Sequence, residues 1–145
     1  MSHSLTKIWV HAIFSTKDRV PLLKDHFSDQ IYEHINGRLS GLGCDVRIIS
    51  GTEDHLHILF LLSPDKTIAQ VIKAIKGESS HWINQQDILN AKFACQVGYS
   101  AFSVSESNVG KVENYIYRQK EHHRRMTFQE EYDKFIQKYG FQVNR

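Results

Sequence analysis

Apolar and polar residues alternate at a period of two in four stretches of the chain, a pattern typical of β-strands with one buried face. The predicted strands are Lys7–Phe14, Cys44–Ser50, His55–Leu62 and Tyr99–Ser105. The apolar positions of the first two strands are Ile8, Val10, Ala12 and Phe14, and then Cys44, Val46 and Ile48. Because the connection Gly51-Thr52-Glu53-Asp54 is short and polar, the second and third strands are predicted to form a hairpin.

Elsewhere, apolar residues recur every three to four positions, which predicts amphipathic helices. The predicted helices are Asp25–Leu42, Thr67–Trp82, Val109–Arg125 and Phe128–Tyr139. The resulting order is βαββαβ followed by a helical extension. Its simplest packing is an α+β, ferredoxin-like sandwich with an antiparallel sheet. We expect helices to cover one face of this sheet and to leave the other face for a ligand or partner.

The length of 145 residues predicts a single domain over 1–145, with the sheet and two helices in 1–106 and the two C-terminal helices in 107–145. No apolar run approaches the about 20 residues that span a membrane, and the first residues lack the order of a secretory signal. The two cysteines fit neither a disulfide framework nor a paired zinc motif. We therefore expect a cytoplasmic protein without membrane association. The net charge of +2 does not by itself indicate a nucleic-acid binder.

Two histidines open the third predicted strand in the stretch HLHILF. Residues two apart in a strand point the same way, so His55 and His57 project together with Cα atoms about 6.5–7 Å apart. Two imidazoles at that spacing can converge on one metal ion. The alternative is that one histidine lies at the surface and the other is a hydrogen-bonded core residue. The pair alone does not decide between them.

A second stretch, YIYRQ, adds two further candidates. Tyr115 and Gln119 are four residues apart and lie one above the other on a helix. Val109, Val112 and Ile116 form an adjacent apolar stripe, whereas Tyr117 points to nearly the opposite side. A tyrosine that acts beside Gln119 is therefore Tyr115. The alternative is that Tyr115 is an ordinary core or interface aromatic.

Two imidazoles, a carboxamide and a phenol suit phosphodiester chemistry. Imidazole and carboxamide ligands are neutral, so a bound divalent cation keeps its full charge and polarises a phosphodiester strongly. A phenol has a pKa near 10 and attacks at neutral pH only with help, part of which a cationic site supplies. A phosphotyrosine ester retains the energy of the broken bond, so that cutting and rejoining need no ATP. Nitrogen ligands favour Mn²⁺ relative to Mg²⁺, although cellular abundance favours Mg²⁺.

These motifs resemble those of a known family. His55-Leu56-His57 matches the HUH signature (His, hydrophobic, His), and YIYRQ matches the signature Tyr-Ile-x-x-Gln. The segments KIWVHAIFSTKDRVPLL, IKGESSHW and QVGYSAFSVSES look like the family's first strand, the end of its second helix and the approach to its tyrosine helix. In this order and over nearly the whole chain, they resemble the single-tyrosine HUH transposases of small bacterial insertion sequences.

The resemblance implies a metal-dependent enzyme with Mg²⁺ or Mn²⁺ on His55, His57 and Gln119 and with Tyr115 as the nucleophile. Such enzymes cut and rejoin single-stranded DNA at insertion-sequence ends, through a 5′-phosphotyrosine link and a free 3′-hydroxyl. They recognise hairpins near those ends.

The resemblance also implies a homodimer in which the tyrosine helix of one subunit can complete the metal site of the other. Gly110 and the approach Ser105–Asn108 suit a mobile attachment of this helix. Cys95 stands where the family pattern has a bulky aromatic residue, which bears on local packing more than on chemistry.

A local basic cluster follows YIYRQ and is a candidate DNA contact. Its members are Lys120, His122, His123, Arg124 and Arg125. The alternative is that these residues form a solvated helix end, where positive side chains interact favourably with the helix dipole. A second basic face could be formed by Lys73, Lys76 and His81. His11 shares a strand face with Trp9 and could approach DNA or a partner, or simply be a strand histidine.

Other functions fit parts of the pattern. RNA-recognition motifs share the βαββαβ order, and GYSAFSV is similar to part of their aromatic signature, but it falls on the fourth strand rather than the third. A domesticated nickase or DNA-end-processing protein, or a replication or conjugation nickase, would use the same chemistry. A structural zinc site would need four ligands, often cysteines, which the spacing of Cys44 and Cys95 does not supply.

Overall fold

A computed structural model describes residues 5–15, 25–85, 99–119, 128–138 and 140. The strands are β1 (Trp9–Ser15), β2 (Asp45–Gly51), β3 (His55–Leu61) and β4 (Ser100–Val104). The helices are α1 (Asp25–Gly41), α2 (Ile68–Gln85), α3 (Val109–Tyr117) and α4 (Phe128–Lys138), and a 3₁₀ turn at Glu106–Asn108 precedes α3. The strands form one sheet in the order β2-β3-β1-β4, with every neighbouring pair antiparallel. The predicted α+β, ferredoxin-like fold is confirmed.

One face of the sheet carries the larger apolar core, beneath α1 and α2. The pleat turns alternate residues of β1 and β3 to this side, where they meet one stripe from each helix. The buried members are Val10, Ala12, Phe14, Ile31, Ile35, Leu39, Cys44, Leu56, Ile58, Phe60, Val71, Ile72 and Ile75. Burying each large aliphatic side chain contributes about 1.5–3 kcal/mol, so this layer is the main source of stability.

Local signals in the sequence account for two ends of these helices. The chain leaves α1 through Gly43, whose φ of 80° is strained for any residue with a side chain, and the amide of Cys44 donates to the carbonyl of Leu39 at 2.9 Å. Helix α2 begins with a capping box: the amide of Gln70 donates to Thr67 Oγ1 at 3.1 Å, and the amide of Thr67 donates to Gln70 Oε1 at 2.9 Å.

The opposite face of the sheet is covered by the C-terminal helices, and the expectation of an open face was wrong. Val109 and Ile116 of α3 are buried with Trp9, Leu59 and Val104. Tyr132 and Ile136 of α4 pack against Ile13 and Phe102. The described part of the chain therefore has helices on both sides of the sheet, and its smaller second core lies between β1, β3, β4 and α3–α4.

Two strand predictions differ from the structure. Ile8 precedes β1 and is 50% exposed, because the strand pairing begins only at Trp9. In β2, Val46 is paired with Phe60 and Ile48 with Leu59, so that Arg47 is an extra residue and forms a β-bulge. The bulge turns Ile48 to the α3 side, whereas Val46 remains on the α1–α2 side. Alternation therefore fails at this one residue.

Candidate active site

The two histidines of β3 lie on the face that α3 and α4 cover. His55 and His57 are fully buried, and their ring centroids are 5.1 Å apart. Neither imidazole is therefore at the surface, contrary to the alternative of one surface and one core histidine. Strand geometry explains the shared direction, because Leu56 between them points into the opposite core.

Residues of the β2–β3 turn orient the ring of His55. Its Nδ1 lies 2.9 Å from Asp54 Oδ1 and 2.7 Å from Thr52 Oγ1, and the Thr52 hydroxyl donates to the same Asp54 oxygen at 3.0 Å. A carboxylate only accepts hydrogen bonds, so Nδ1 carries the ring proton when His55 is neutral. The lone pair is then on Nε2, which lies 3.3 Å from Gln119 Oε1.

The turn itself leaves no room for a side chain at Gly51. A Cβ atom placed there would lie 2.1 Å from the carbonyl oxygen of His55, and the amide of Thr52 donates to that oxygen at 3.0 Å. Position 51 therefore requires glycine, because the backbone of His55 approaches it too closely for a side chain to fit.

His57 is oriented by a third histidine, His11 of β1. His11 Nε2 lies 2.9 Å from His57 Nδ1, and the two rings stack with centroids 5.1 Å apart. Burial lowers the pKa of His11 well below its usual range, and the neighbouring His57 lowers it further. The Nε2 atom of a neutral His11 can accept a hydrogen bond from the Nδ1–H of His57, and in that tautomer His57 Nε2 carries a lone pair.

Helix α3 and the turn at its C-terminal end bring Tyr115 and Gln119 to the same place. Gln119 is fully buried, and its amide Nε2 donates to the carbonyl of Tyr115 at 3.3 Å, which turns its Oε1 toward His55. The Tyr115 ring stands edge-on to His57 with a centroid distance of 5.9 Å. Tyr117 is 76% exposed on the other side of the helix. The four residues His55, His57, Tyr115 and Gln119 therefore meet within one chain, and their chemical roles remain predictions.

The environment of Tyr115 favours the protonated phenol. Burial raises the pKa of its hydroxyl above the usual range, and the negative charge of Glu131 raises it further. A hydrogen bond with Gln119 acts in the opposite direction. Deprotonation at neutral pH therefore needs an added positive charge near the phenol oxygen.

Glu131 of α4 is a site residue that the sequence did not reveal. Its side chain is 6% exposed, and Oε1 lies 3.4 Å from His57 Nε2. The only signal in the sequence is that Glu131 precedes Tyr132, a member of the apolar face of α4. A carboxylate at the edge of an amphipathic helix is usually solvated, so this signal does not distinguish a buried glutamate.

The donor set fits a divalent metal ion. Among the described residues, His55, His57 and Glu131 each offer a ligand atom within 4.8 Å of the others, and Gln119 Oε1 faces His55. Ligands held at about 2.1 Å around one ion lie roughly 3–4 Å apart, so a small contraction suffices. The neighbouring Thr52, Asp54 and His11 hold the Nε2 atoms of both imidazoles toward this point, as outer partners of metal-bound histidines commonly do.

The structure describes only one of the two predicted basic groups. Lys120, His122, His123, Arg124 and Arg125 fall outside the described residues, as does Cys95. Lys73 and His81 are exposed and Lys76 is half-buried on α2, which packs on the face of the sheet opposite to the site. This second group therefore does not line the pocket of His55 and His57.

The approach to α3 is hydrogen-bonded to residues at and just before the start of β1. Glu106, in the 3₁₀ turn, accepts hydrogen bonds from the Trp9 indole and from Lys7 Nζ at 2.8 Å. Gly110 has open space around its Cα, with no atom within 4 Å of a Cβ placed there. The mobile attachment predicted for Ser105–Asn108 remains a prediction.

Comparison with known proteins decides the family. The family model described as "Transposase IS200 like" matches residues 4–119, which include both histidines of β3, Tyr115 and Gln119. The chain belongs to the IS200-like transposase family. Within the described residues, no helix combines the length and apolar character needed to cross a bilayer.

Solved structures of two transposases are similar to this IS200-like chain. A proposed transposase from Deinococcus radiodurans R1 is 22% identical with a TM-score of 0.65, and the match covers 82% of this chain and 95% of that one. A REP-associated tyrosine transposase bound to a REP hairpin is 16% identical with a TM-score of 0.61, over 85% of this chain and 74% of that one. At these identities the likeness is one of fold. No curated protein matches the chain.

Membership of a transposase family separates the broad alternatives raised by the sequence. IS200-like transposases act on DNA as enzymes, so the chain is placed with DNA-cutting proteins and not with non-catalytic RNA-binding modules. A domesticated nickase would retain the same residues, and the pocket alone does not distinguish it from a mobile element's transposase.

Proposed function

We propose that the protein cuts and rejoins single-stranded DNA at insertion-sequence ends by metal-assisted transesterification, with Tyr115 as the nucleophile. One observation carries this proposal: in a chain of the IS200-like transposase family, Tyr115 of α3 lies in a pocket where two imidazoles, a carboxamide and a carboxylate converge. The ring centroid of Tyr115 is 5.9 Å from that of His57. This pocket provides both a metal site and a covalent nucleophile.

In the first half of the reaction, the Tyr115 oxygen attacks the phosphorus of the scissile phosphodiester. The phenol loses its proton as a bond forms between this oxygen and phosphorus. The bond to the 3′-oxygen breaks, that oxygen takes up a proton, and the upstream strand leaves with a 3′-hydroxyl. The downstream strand stays attached through a 5′-phosphotyrosine. In the second half, a 3′-hydroxyl from another strand attacks the same phosphorus and Tyr115 leaves, so the number of phosphodiester bonds is conserved.

His55, His57 and Gln119 would hold the divalent ion, Mg²⁺ or Mn²⁺. When bound, the ion would supply positive charge that polarises the phosphodiester and opposes the burial and the negative charge of Glu131, both of which raise the pKa of Tyr115. Asp54 and His11 keep the two Nε2 atoms directed at this point. Because His55, His57 and Gln119 are fully buried, a phosphodiester reaches them only when a covering helix moves away from the sheet.

The proposed substrate is single-stranded DNA with a hairpin near the cleavage point. A similar structure, that of a REP-associated tyrosine transposase, is bound to a REP hairpin, which supports this choice. We place the phosphate contacts on Lys120, His122, His123, Arg124 and Arg125, close in sequence to Gln119. The protein would act in the cytoplasm as a homodimer, whose sites are completed either within a chain or between subunits.

The test is formation of a protein–DNA adduct. Labelled hairpin DNA is incubated with the protein and Mg²⁺ or Mn²⁺, and covalent adducts are separated under denaturing conditions. We expect an adduct with the wild type and with Tyr117→Phe, which alters the exposed tyrosine of the same helix, and no detectable adduct with Tyr115→Phe. Chelation of the metal, or replacement of both His55 and His57 by alanine, is expected to abolish the adduct and to leave hairpin binding largely intact.

An adduct with Tyr115→Phe that disappears in Tyr117→Phe would reverse the assignment of the nucleophile. Cleavage that survives chelation and the double histidine replacement would overturn the role of the metal. A second strand carrying a free 3′-hydroxyl tests rejoining. Transfer of the label to that strand is expected of a transposase, whereas a nickase stops at the cut.

A further inference from the structure

Glu131 is a buried carboxylate whose position is determined by the packing of α4. Tyr132 and Ile136 of this helix contact Ile13 and Phe102 in the sheet, and Tyr132 is hydrogen-bonded to Ser100. This packing turns Glu131 toward the histidines, where its Oε1 lies 3.4 Å from His57 Nε2. The carboxylate is therefore held by the fold and not by a chance side-chain conformation.

A buried carboxylate is stabilised by hydrogen bonds and by positive charge nearby. Positive charge contributes most where the carboxylate is removed from water, as Glu131 is. His55 and His57 each offer a ring nitrogen within 4.8 Å of a Glu131 carboxylate oxygen, which is close enough for one ion to be shared by all three side chains. A divalent ion between the carboxylate and the two imidazoles would supply the charge without a proton.

We infer that Glu131 is a fourth, anionic ligand of the ion that His55, His57 and Gln119 hold, an inference that rests on the metal site of the proposed function. The donor set would be two imidazole nitrogens, one carboxamide oxygen and one carboxylate oxygen. The carboxylate reduces the charge of the site from +2 to +1 and adds a hard oxygen ligand, which favours Mg²⁺ and Mn²⁺ over softer metals. With six-coordinate ions, two positions remain for phosphate oxygen or water.

A ligand on α4 has a structural consequence that a ligand set limited to β3 and α3 would not have. The ion would link α4 to the sheet, in addition to the apolar contacts that Tyr132 and Ile136 make with it. Metal binding should therefore stabilise the DNA-free protein, and part of that stabilisation should depend on the Glu131 carboxylate.

The experiment measures Mn²⁺ affinity of the full-length, DNA-free protein by calorimetric titration. Glu131→Gln keeps the shape of the side chain and removes its charge, and Glu130→Gln removes the charge of an exposed neighbour on the same helix. We expect Glu131→Gln to weaken Mn²⁺ binding by about tenfold or more, since changes in the outer partners of metal ligands alone cost 10–100-fold. Glu130→Gln should bind like the wild type. Thermal unfolding with and without Mn²⁺ should show a smaller metal-induced rise in Tm for Glu131→Gln.

Two variants separate failure of the inference from failure of the metal site. If Glu131→Gln binds Mn²⁺ as tightly as the wild type, whereas His55→Ala and His57→Ala do not, the inference about Glu131 is wrong and the metal site stands. If the histidine variants also bind normally, the proposed metal site is wrong and the inference falls with it. Glu131→Asp, which keeps the charge on a shorter arm, should have an affinity between those of the wild type and Glu131→Gln. An affinity of Glu131→Asp below that of Glu131→Gln would contradict a ligand role.

Discussion

His11 lies beneath the candidate site and touches no solvent, yet it is a polar residue in the middle of a strand. Its ring stacks on His57, and its Nε2 lies 2.9 Å from His57 Nδ1. A buried imidazole that accepts a hydrogen bond from a second imidazole fixes both the orientation and the tautomer of that second ring. His11 is thus placed to orient His57, the proposed metal ligand, without contacting the metal ion itself.

We expect His11→Phe to weaken Mn²⁺ binding by about tenfold, because phenylalanine keeps the ring volume and offers no acceptor to His57. His11→Gln should restore most of the affinity, since the glutamine amide can reach the place of the imidazole Nε2. Calorimetric titration measures the affinity, and urea unfolding of each metal-free variant measures stability. Equal affinity of the phenylalanine and glutamine variants would show that His11 acts only by packing.

For single residues, the sequence predicted which near neighbours in the chain have side chains on the same side. It did not predict which residues far apart in the chain join them in the pocket. The period of a strand places His55 beside His57, and the period of a helix places Tyr115 beside Gln119. His11 and Glu131 reach the same pocket through strand pairing and helix packing across long separations in the chain. No local period encodes either contact.

At the scale of elements, the hairpin of β2 and β3 carries the tightest steric requirement near the site. Gly51 has no room for a side chain because the carbonyl of His55 approaches its Cα, and His55 is the first residue of β3. A change that moves the backbone at Gly51 is therefore expected to move the imidazole of His55 as well.

Gly51→Ala should destabilise the protein by roughly 1–3 kcal/mol, the usual cost of forcing extra atoms into a packed site, and should weaken Mn²⁺ binding by moving His55. The matched control is Gly37→Ala in α1, where a Cβ meets nothing within 4 Å. That change should stabilise the helix by about 0.5–1 kcal/mol and leave metal binding unchanged. Urea unfolding and metal titration of both variants give the comparison. A Gly51→Ala protein with wild-type stability would contradict the steric account.

The elements themselves were largely predictable, because strong periods mark them. The buried stripe Ile31, Ile35 and Leu39 of α1 and the exposed Tyr117 of α3 follow directly from helical spacing. The bulge at Arg47 did not follow, since one extra residue changes which face the later residues occupy without changing the composition of the strand. Arg47 also pairs with Glu113 of α3 at 3.1 Å, a contact that only the folded sheet brings about.

At the scale of the whole molecule, α3 is packed on the sheet of its own chain. Val109 and Ile116 are buried in a cluster with Trp9, Leu59 and Val104, and each apolar side chain of this kind contributes about 1.5–3 kcal/mol by burial. Exchange of α3 between subunits, which the family resemblance predicts, would first have to separate this cluster.

We expect each chain to use its own tyrosine, so a mixture of Tyr115→Phe and His57→Ala chains should form no adduct with hairpin DNA. The two chains carry tags of different size, so that any adduct can be assigned to one of them. Each variant mixed with the wild type serves as the control for inhibition. An adduct on the His57→Ala chain, whose tyrosine is intact, would show that α3 is exchanged between subunits.

Of the two tyrosines in YIYRQ, one hydroxyl enters the pocket and the other remains in solvent. A single phenol forms one ester at a time, so the proposed mechanism predicts the attachment of one DNA terminus per polypeptide. An insertion element has two termini. Excision in one event would therefore require two copies of the protein at the junction, each holding one terminus, even if every copy completes its own pocket.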